Sequence, residues 1–222
     1  DLAGNTNSEA ISSTIKIDTL APAAPSALNF SELVNATDAD TGIIFSGAKE
    51  AGATVSLTFG SGLTKQSEAS DEGAEAWDIQ LTKEETSGLG EGPEDVKITQ
   101  TDAVGNKSLD AAKVKFKIDT TADENSDLQV VVSDKLINNL EKTAVAFNVN
   151  GLDNDATATV TFSQGVTVVQ STDRVVDLSN FNDGPISVSV SASDTAGNTA
   201  TGTKPDSITL DTVAPTIEAV ST

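Results

Sequence analysis

Apolar and polar residues alternate one for one through much of this chain, which is the period of a half-buried β-strand and not of a helix. The clearest run is 186–193, where Ile186, Val188, Val190 and Ala192 share one face and Ser187, Ser189, Ser191 and Ser193 the other. An earlier run puts Val96 and Ile98 inward, with Lys97 and Thr99 outward. Closing strands of the same kind are expected at Ile15 and Ile17, at Val114, Phe116 and Ile118, and at Ile208 and Leu210. Their inward faces should meet Val55, Leu57 and Phe59, or Val160 and Phe162. Ile43 and Phe45 correspond loosely to Val145 and Phe147, and alternation with Ile79 and Leu81 places Trp77 inward. Lys83–Leu89 and Asp134–Leu140 are the two places where a helical turn competes, and loops or 3₁₀ turns are expected there.

The pattern repeats on a larger scale. DLAGN (1–5), DAVGN (102–106) and DTAGN (194–198) are near copies, offset by 101 and then 92 residues. Each is followed, 17 residues from its first aspartate, by the aspartate of a linker: Asp18 in IDTLAP, Asp119 in IDTTAD and Asp211 in LDTVAP. Gly92-Pro93 and Gly184-Pro185 keep the same register, and ATVSLTF (53–59) answers ATVTF (158–162). Matched spacing of independent landmarks marks a tandem repeat. The chain therefore reads as the last strand of one module (1–18), two whole modules (19–119 and 120–211) and the start of another (212–222), which gives it the look of a piece of a longer chain. About seven short strands per roughly 95 residues predict an all-β chain of tandem immunoglobulin-like antiparallel β-sandwiches. The linkers are short, and two of them contain proline, so they should be stiffer than Gly/Ser linkers.

Composition narrows the function. There are 34 acidic residues against 13 Lys and Arg, for a net charge of −21. Such a surface repels phosphates and anionic lipid, which argues against nucleic acid and direct membrane contact. No apolar run is long enough to span a bilayer, and no secretory leader is visible at Asp1. Histidine and cysteine are absent, which removes the usual nucleophile and base pairs, disulfides and thiolate metal sites, so no enzyme is expected. The acidity has two readings: it keeps a protein soluble, or it supplies the oxygen ligands that Ca²⁺ prefers.

The D-x-x-G-N turn belongs at the pole of its module where the preceding linker arrives. At the central joint the converging oxygens are then Asp119, Asp123 and Glu124 of the linker, Asp194 and Asn198 of the turn, and Asp153 and Asp155 of the LDND loop, with Asp38 and Asp40 approaching from the other side. The upstream joint offers Asp18, Glu50, Asp102 and Asn106, and the downstream one Asp211 and Glu141. So many carboxylates packed without a counter-charge cost several kcal/mol, which a dication with 6–8 oxygen ligands removes. Turn chemistry competes with this reading: Asp and Asn at the ends of such a turn cap backbone amides, and Gly4, Gly105 and Gly197 supply positive φ. The pairs Asp38/Asp40 and Asp153/Asp155 have the first spacing of an EF-hand loop but lack its glycine and its glutamate.

The order ATVSLTFGSG, LTKEETSGLGEGP, TDAVGN, KIDTTA, and in the second module ATVTF, DLSNFNDGPISVSVSASDTAGNTATG, ITLDTVAP, resembles the bacterial immunoglobulin-like repeats of giant type I-secreted RTX and biofilm-associated adhesins. The resemblance covers essentially the whole chain. It implies an extracellular extender segment at the bacterial cell surface, a monomer whose partners are neighbouring modules of its own chain, with Ca²⁺ holding the joints rigid. By that resemblance Asp119, Asp194, Asp153 and Asp211 are the foremost ligand candidates. The central linker departs from the pattern: TTADEN replaces TxAP, adding acid and removing a proline, so its bend or ion count should differ. The competing expectation is a glycan- or peptide-binding module, whose site would lie in the extra residues of the first module at Gly60–Ala76 and Lys83–Pro93.

Overall fold

The computed structural model describes residues 2–3, 14–15, 17–68, 73–109, 112–202 and 205–216. Asp1, Gly4 and Asn5 of the first D-x-x-G-N turn lie outside the described residues. The chain is all-β, with two short helices among the described residues. Its first series of elements is β1 (Ser26–Asn29), β2 (Leu33–Val34), α1 (Ala36–Thr41), β3 (Ile44–Ala48), β4 (Thr54–Phe59), β5 (Thr64–Gln66), β6 (Ala76–Gln80), α2 (Lys83–Leu89), β7 (Gly92–Thr101) and β8 (Ala112–Ile118). The second is β9 (Gln129–Val131), β10 (Leu136–Ile137), β11 (Val145–Ala146), β12 (Asn148–Asn150), β13 (Ala156–Gln164), β14 (Thr167–Ser171), β15 (Val175–Val176), β16 (Gly184–Asp194), β17 (Thr199–Thr201) and β18 (Asp206–Leu210).

The two series share one strand plan. In the first, β1-β3-β6 form one sheet and β2-β8-β7-β4-β5 follow each other in the other. In the second, the larger sheet runs β10-β18-β16-β13-β14, with β17 on β16, and the pairs β9/β12 and β11/β15 face it. Both series split their opening strand between sheets. One part pairs antiparallel with the next strand (β1 with β3, β9 with β12), and the other runs parallel to the last (Leu33 opposite Lys117, Leu136 opposite Thr209). Every other pairing among the described residues is antiparallel, as expected for a sandwich of this class.

By compactness the chain divides into two units. One comprises Asp1–Phe30, Ile44–Gln80 and Asp95–Lys115, and the other Ser31–Ile43, Leu81–Glu94 and Phe116–Thr222. In the first unit the alternation closes a core of Phe45, Val55, Leu57, Phe59, Trp77, Ile79, Val96, Ile98 and Val114, all buried. Phe45 stacks on Phe30 and meets Phe59 edge-on, at centroid distances of 6.1 and 5.8 Å. Trp77 lies opposite Gly47 in the β3/β6 ladder. A Cβ at Gly47 would fall 2.8 Å from the Ser26 carbonyl oxygen and 3.0 Å from Trp77 Nε1, so a side chain is excluded there. In the second unit the inward residues of β16 meet those of β9, β13 and β18 in one cluster. It includes Leu128, Phe147, Phe162, Leu178, Ile186, Val188, Ile208 and Leu210. Fully burying such side chains contributes about 1.5–3 kcal/mol each, which is what fixes the register.

Three local expectations change, and one further segment is helical. Lys83–Leu89 is an α-helix, because Thr82 accepts from Glu85 N while the Glu85 carboxylate accepts from Thr82 N, a complete capping box. The ATDADT segment is likewise a helix, closed by the equivalent exchange between Asn35 and Asp38. Thr99 is buried although alternation points it away from the core, while Lys97 on the same face is exposed. Ile15 and Ile17 are exposed, because no described strand pairs with the segment that carries them. Asp134–Leu140 does form a loop. It carries the two-residue β10, and Asn138 Oδ1 accepts from Leu140 N and Glu141 N at the turn after it.

Candidate functional site

The second unit contains the linker aspartate, the recurring turn and the acidic loops together. The turn 194–198 links β16 to β17, and Gly197, at φ 93°, allows it to close. Asp194 organises the turn: its Oδ1 accepts from Asn198 N at 2.8 Å and its Oδ2 from Asn198 Nδ2 at 2.7 Å. That fixes the Asn198 amide, which reaches out of the turn in two directions. Nδ2 also donates to the Asp119 carbonyl oxygen at 2.7 Å, and Oδ1 accepts from Ala36 N at 2.9 Å. Asn35 Nδ2 completes the contact by donating to the Ala196 carbonyl oxygen at 3.1 Å. Asn198 and Asp119 are both buried.

The first unit builds the same contact from the preceding copies of the motif. Asp102 accepts from Asn106 N and Asn106 Nδ2, each at 2.8 Å, and Nδ2 donates to the Asp18 carbonyl oxygen at 3.1 Å. Partial desolvation raises the Asp102 carboxyl, but hydrogen bonds from Asn106, Val104 and Gly105 together outweigh it and hold the group below its ordinary range. Gln100, buried, adds a grip by donating from Nε2 to the Ala23 carbonyl oxygen at 2.7 Å and accepting from Glu50 N at 2.9 Å.

A second device recurs one residue further along the central and downstream linkers. Thr120 donates from N to Glu91 Oε2 at 3.0 Å and from its hydroxyl to Glu91 Oε1. Thr212 donates from N and from its hydroxyl to Asp183 Oδ1, at 3.0 and 2.9 Å. In both cases the acid stands immediately before a Gly-Pro, 29 residues upstream of the threonine.

The candidate ligands are thus partly assembled, but by donors. Asp119 Oδ2 accepts from Lys117 Nζ at 2.7 Å, and the same ammonium reaches Asp155 Oδ2 at 3.0 Å. The hydrogen bond to Asp119 and then that to Asp155 hold the Lys117 ammonium well above the ordinary lysine range; Lys117 in turn depresses Asp155. Asp123 spends both oxygens on its own turn, accepting from Asp127 N and Leu128 N. Asp153 Oδ2 accepts from Glu124 N at 2.8 Å. Asp38 caps its own helix, and Asp40 pairs with Lys83 at 2.5 Å. Asp18 and Asp211 each accept from the backbone N–H two residues on, Leu20 and Val213. The Glu141 carboxylate accepts from Asn138 N.

Calcium takes 6–8 oxygens at about 2.3–2.6 Å. Among the described residues no three acidic side chains group as such a ligand set. At the central contact an ammonium fills the gap between the two nearest carboxylates, so the residues as arranged do not fit the ion. Sequence reasoning paired the turn with the linker aspartate but sought the contact in carboxylates. It is made by a side-chain amide and a main-chain carbonyl. Lys117, Asn35, Glu91 and Asp183 were not anticipated, although an acid before each Gly-Pro at constant distance from D-T was a readable signal.

Among the described residues no helix is long and apolar enough to cross a membrane. No family model and no curated protein matches the chain. Solved structures do. One is a 1.5-MDa bacterial ice-binding adhesin studied for host cell surface retention, 22% identical over 86% of this chain and 67% of that one, with a TM-score of 0.49. A second is a Ca²⁺-stabilized adhesin that helps an Antarctic bacterium reach out and bind ice, 26% identical over 97% of this chain and 55% of that one, TM-score 0.48. A third is a tetra-tandem repeat from the extending region of a large adhesion protein, 19% identical over 84% and 50%, TM-score 0.34. The chain spans about half the length of the last two.

Proposed function

We propose that this chain is a structural extender segment of a bacterial cell-surface adhesin, with modules at 19–119 and 120–211, the last strand of another at 1–18 and the start of a fourth at 212–222. The observation that carries this reading is the recurrence of one contact. The asparagine ending a D-x-x-G-N turn holds the main chain of the linker aspartate, at Asn106 and Asp18 and again at Asn198 and Asp119. A binding loop has no reason to recur in register with every linker; a coupling does. The exposed Ile15 and Ile17 accord with a strand that a preceding module would cover.

Calcium enters the proposal as an added stiffener at the joints on either side of the central one, supported by 34 acidic residues against 13 basic ones. Ions that bind only the folded chain would raise its stability by about 2.7 kcal/mol at a hundredfold excess over Kd. Extracellular placement, adhesion and biofilm support belong to the same reading. Small-angle scattering of the chain tests the extender role: wild type should keep a longer maximum dimension than a variant carrying both Asn106→Ala and Asn198→Ala, and equal dimensions defeat it. The calcium part fails on its own if melting temperature and scattering radius are the same with saturating calcium and with chelator.

A further inference from the structure

We infer that Lys117 is a tethered counter-ion that occupies the seat between Asp119 and Asp155, so that the central linker is held without calcium. The inference rests on the extender reading for its meaning, but its observations are separate. The Asp119 side chain is 6% exposed, while those of Lys117 and Asp155 are 45% and 40% exposed. A carboxylate that deep is costly unless a positive charge or strong donors face it. Lys117 supplies both, at 2.7 Å, and bridges to Asp155 at 3.0 Å. Its placement is fixed from the backbone, since Lys117 N donates to the Glu32 carbonyl oxygen and Asp119 N to the Val34 carbonyl oxygen, each at 2.9 Å. Residues 117 and 119 therefore lie on the same strand edge with their side chains on one side, and the ammonium needs no loop movement to reach Asp119. A dication and an ammonium cannot share two carboxylate oxygens, and the remaining neighbours offer main-chain N–H donors where an ion requires oxygens. The position two residues before the linker aspartate is Lys16, Lys117 and Thr209 in turn, so the downstream linker lacks the charge that the other two carry in sequence.

Hydrogen–deuterium exchange of the full chain tests it, read on peptides spanning 117–124, with peptides of β16 as the internal control for folding. Wild-type protection should be the same in saturating calcium and in chelator. Lys117→Met should lose about tenfold protection at 117–124 in chelator, the loss of one charge-assisted hydrogen bond to a buried group. Lys117→Arg should retain it, and Asp155→Asn, at an exposed partner, should lose only about twofold. A wild-type linker that loosens when calcium is removed overturns the inference, as does a Lys117→Met chain as protected as wild type. Should Lys117→Met lose protection in β16 as well, the Asp155→Asn and Lys117→Arg pair decides, an unchanged first or a loosened second counting against the inference. Failure of the extender reading would appear elsewhere, as wild-type scattering dimensions that the double asparagine variant does not reduce.

Discussion

Asn198→Ala is the sharpest test of the coupling, because it removes a side chain at a turn and leaves every strand intact. Asn198 is buried, and its amide makes three bonds: to the Asp119 carbonyl, to the Asp194 carboxylate and from Ala36 N. Neutral hydrogen bonds contribute about 0.5–1.5 kcal/mol net, those to charged groups about 1.5–3, and a stranded buried acceptor costs about 1–3. These overlap, since the Asp119 carbonyl is both a lost bond and the stranded group, and a loss of about 3 kcal/mol is expected. With a urea m-value of about 1–3 kcal/mol per molar, that is a midpoint shift of at least about 1 M. Asn106→Ala is the matched control. It deletes the same motif where the linker contact is exposed and 3.1 Å long, so about 1 kcal/mol is expected.

The chain offers a way to localise the effect. Its single tryptophan, Trp77, lies in the first unit, so fluorescence follows that unit, while far-ultraviolet circular dichroism follows all strands. Asn198→Ala should move the dichroism transition and leave the Trp77 transition in place; Asn106→Ala should move the Trp77 transition, and the dichroism only through the strands of the first unit, with smaller amplitude. The reasoning is refuted if Asn198→Ala leaves both midpoints within about 0.2 M of wild type, or if the two variants cost the same.

Gly47→Ala should destabilise the unit that Trp77 reports by about 1–3 kcal/mol, because its Cβ meets Ser26 O and Trp77 Nε1; an unchanged midpoint would show that the β1/β3 approach is looser than 2.8 Å. Thr82→Ala should cost about 1 kcal/mol and speed amide exchange at Glu85, whose N–H loses its cap. Asp206 gives a pH signature. Burial raises its carboxyl, but the Lys135 ammonium and the amides of Val132 and Ser207 outweigh this and hold it below its ordinary value of 3.8. A depressed folded value contributes stability that is complete above 3.8 and is lost as pH falls through the lower folded value. Wild type should therefore exceed Asp206→Asn in denaturant midpoint at neutral pH, and the gap should close in acid; a gap independent of pH contradicts the assignment.

The strands were legible because their signal is the period of burial itself. Ile186, Val188, Val190 and Ala192 are buried and the serines between them exposed, as alternation requires. Trp77 faces inward for the same reason. What the period could not convey was local competition. Lys83–Leu89 carries too few apolar residues to announce a helix, and its identity rests on two side-chain-to-backbone bonds between Thr82 and Glu85. The candidate site was half legible. Matched spacing joined turn to linker, but charge counting drew attention to carboxylates, and a carboxylate in a turn is most readily satisfied by the N–H groups beside it, as at Asp123, Asp194 and Asp102.

The chemistry of the amide explains why the turn ends in asparagine and not in a further acid. At position 198 one atom must donate to a carbonyl and another accept from an N–H at the same time. A carboxylate only accepts, and it would add a like charge beside Asp194. The aspartate four residues earlier has the opposite task, since everything it meets in the turn is a donor. Because the partner on the linker is a main-chain carbonyl, the residues that follow can vary between DTLAP and DTTAD without losing the contact. The coupling is thus written in the turn and read on the backbone. That leaves the linker side chains free to set how each joint is charged, and at the central one Lys117 sets it.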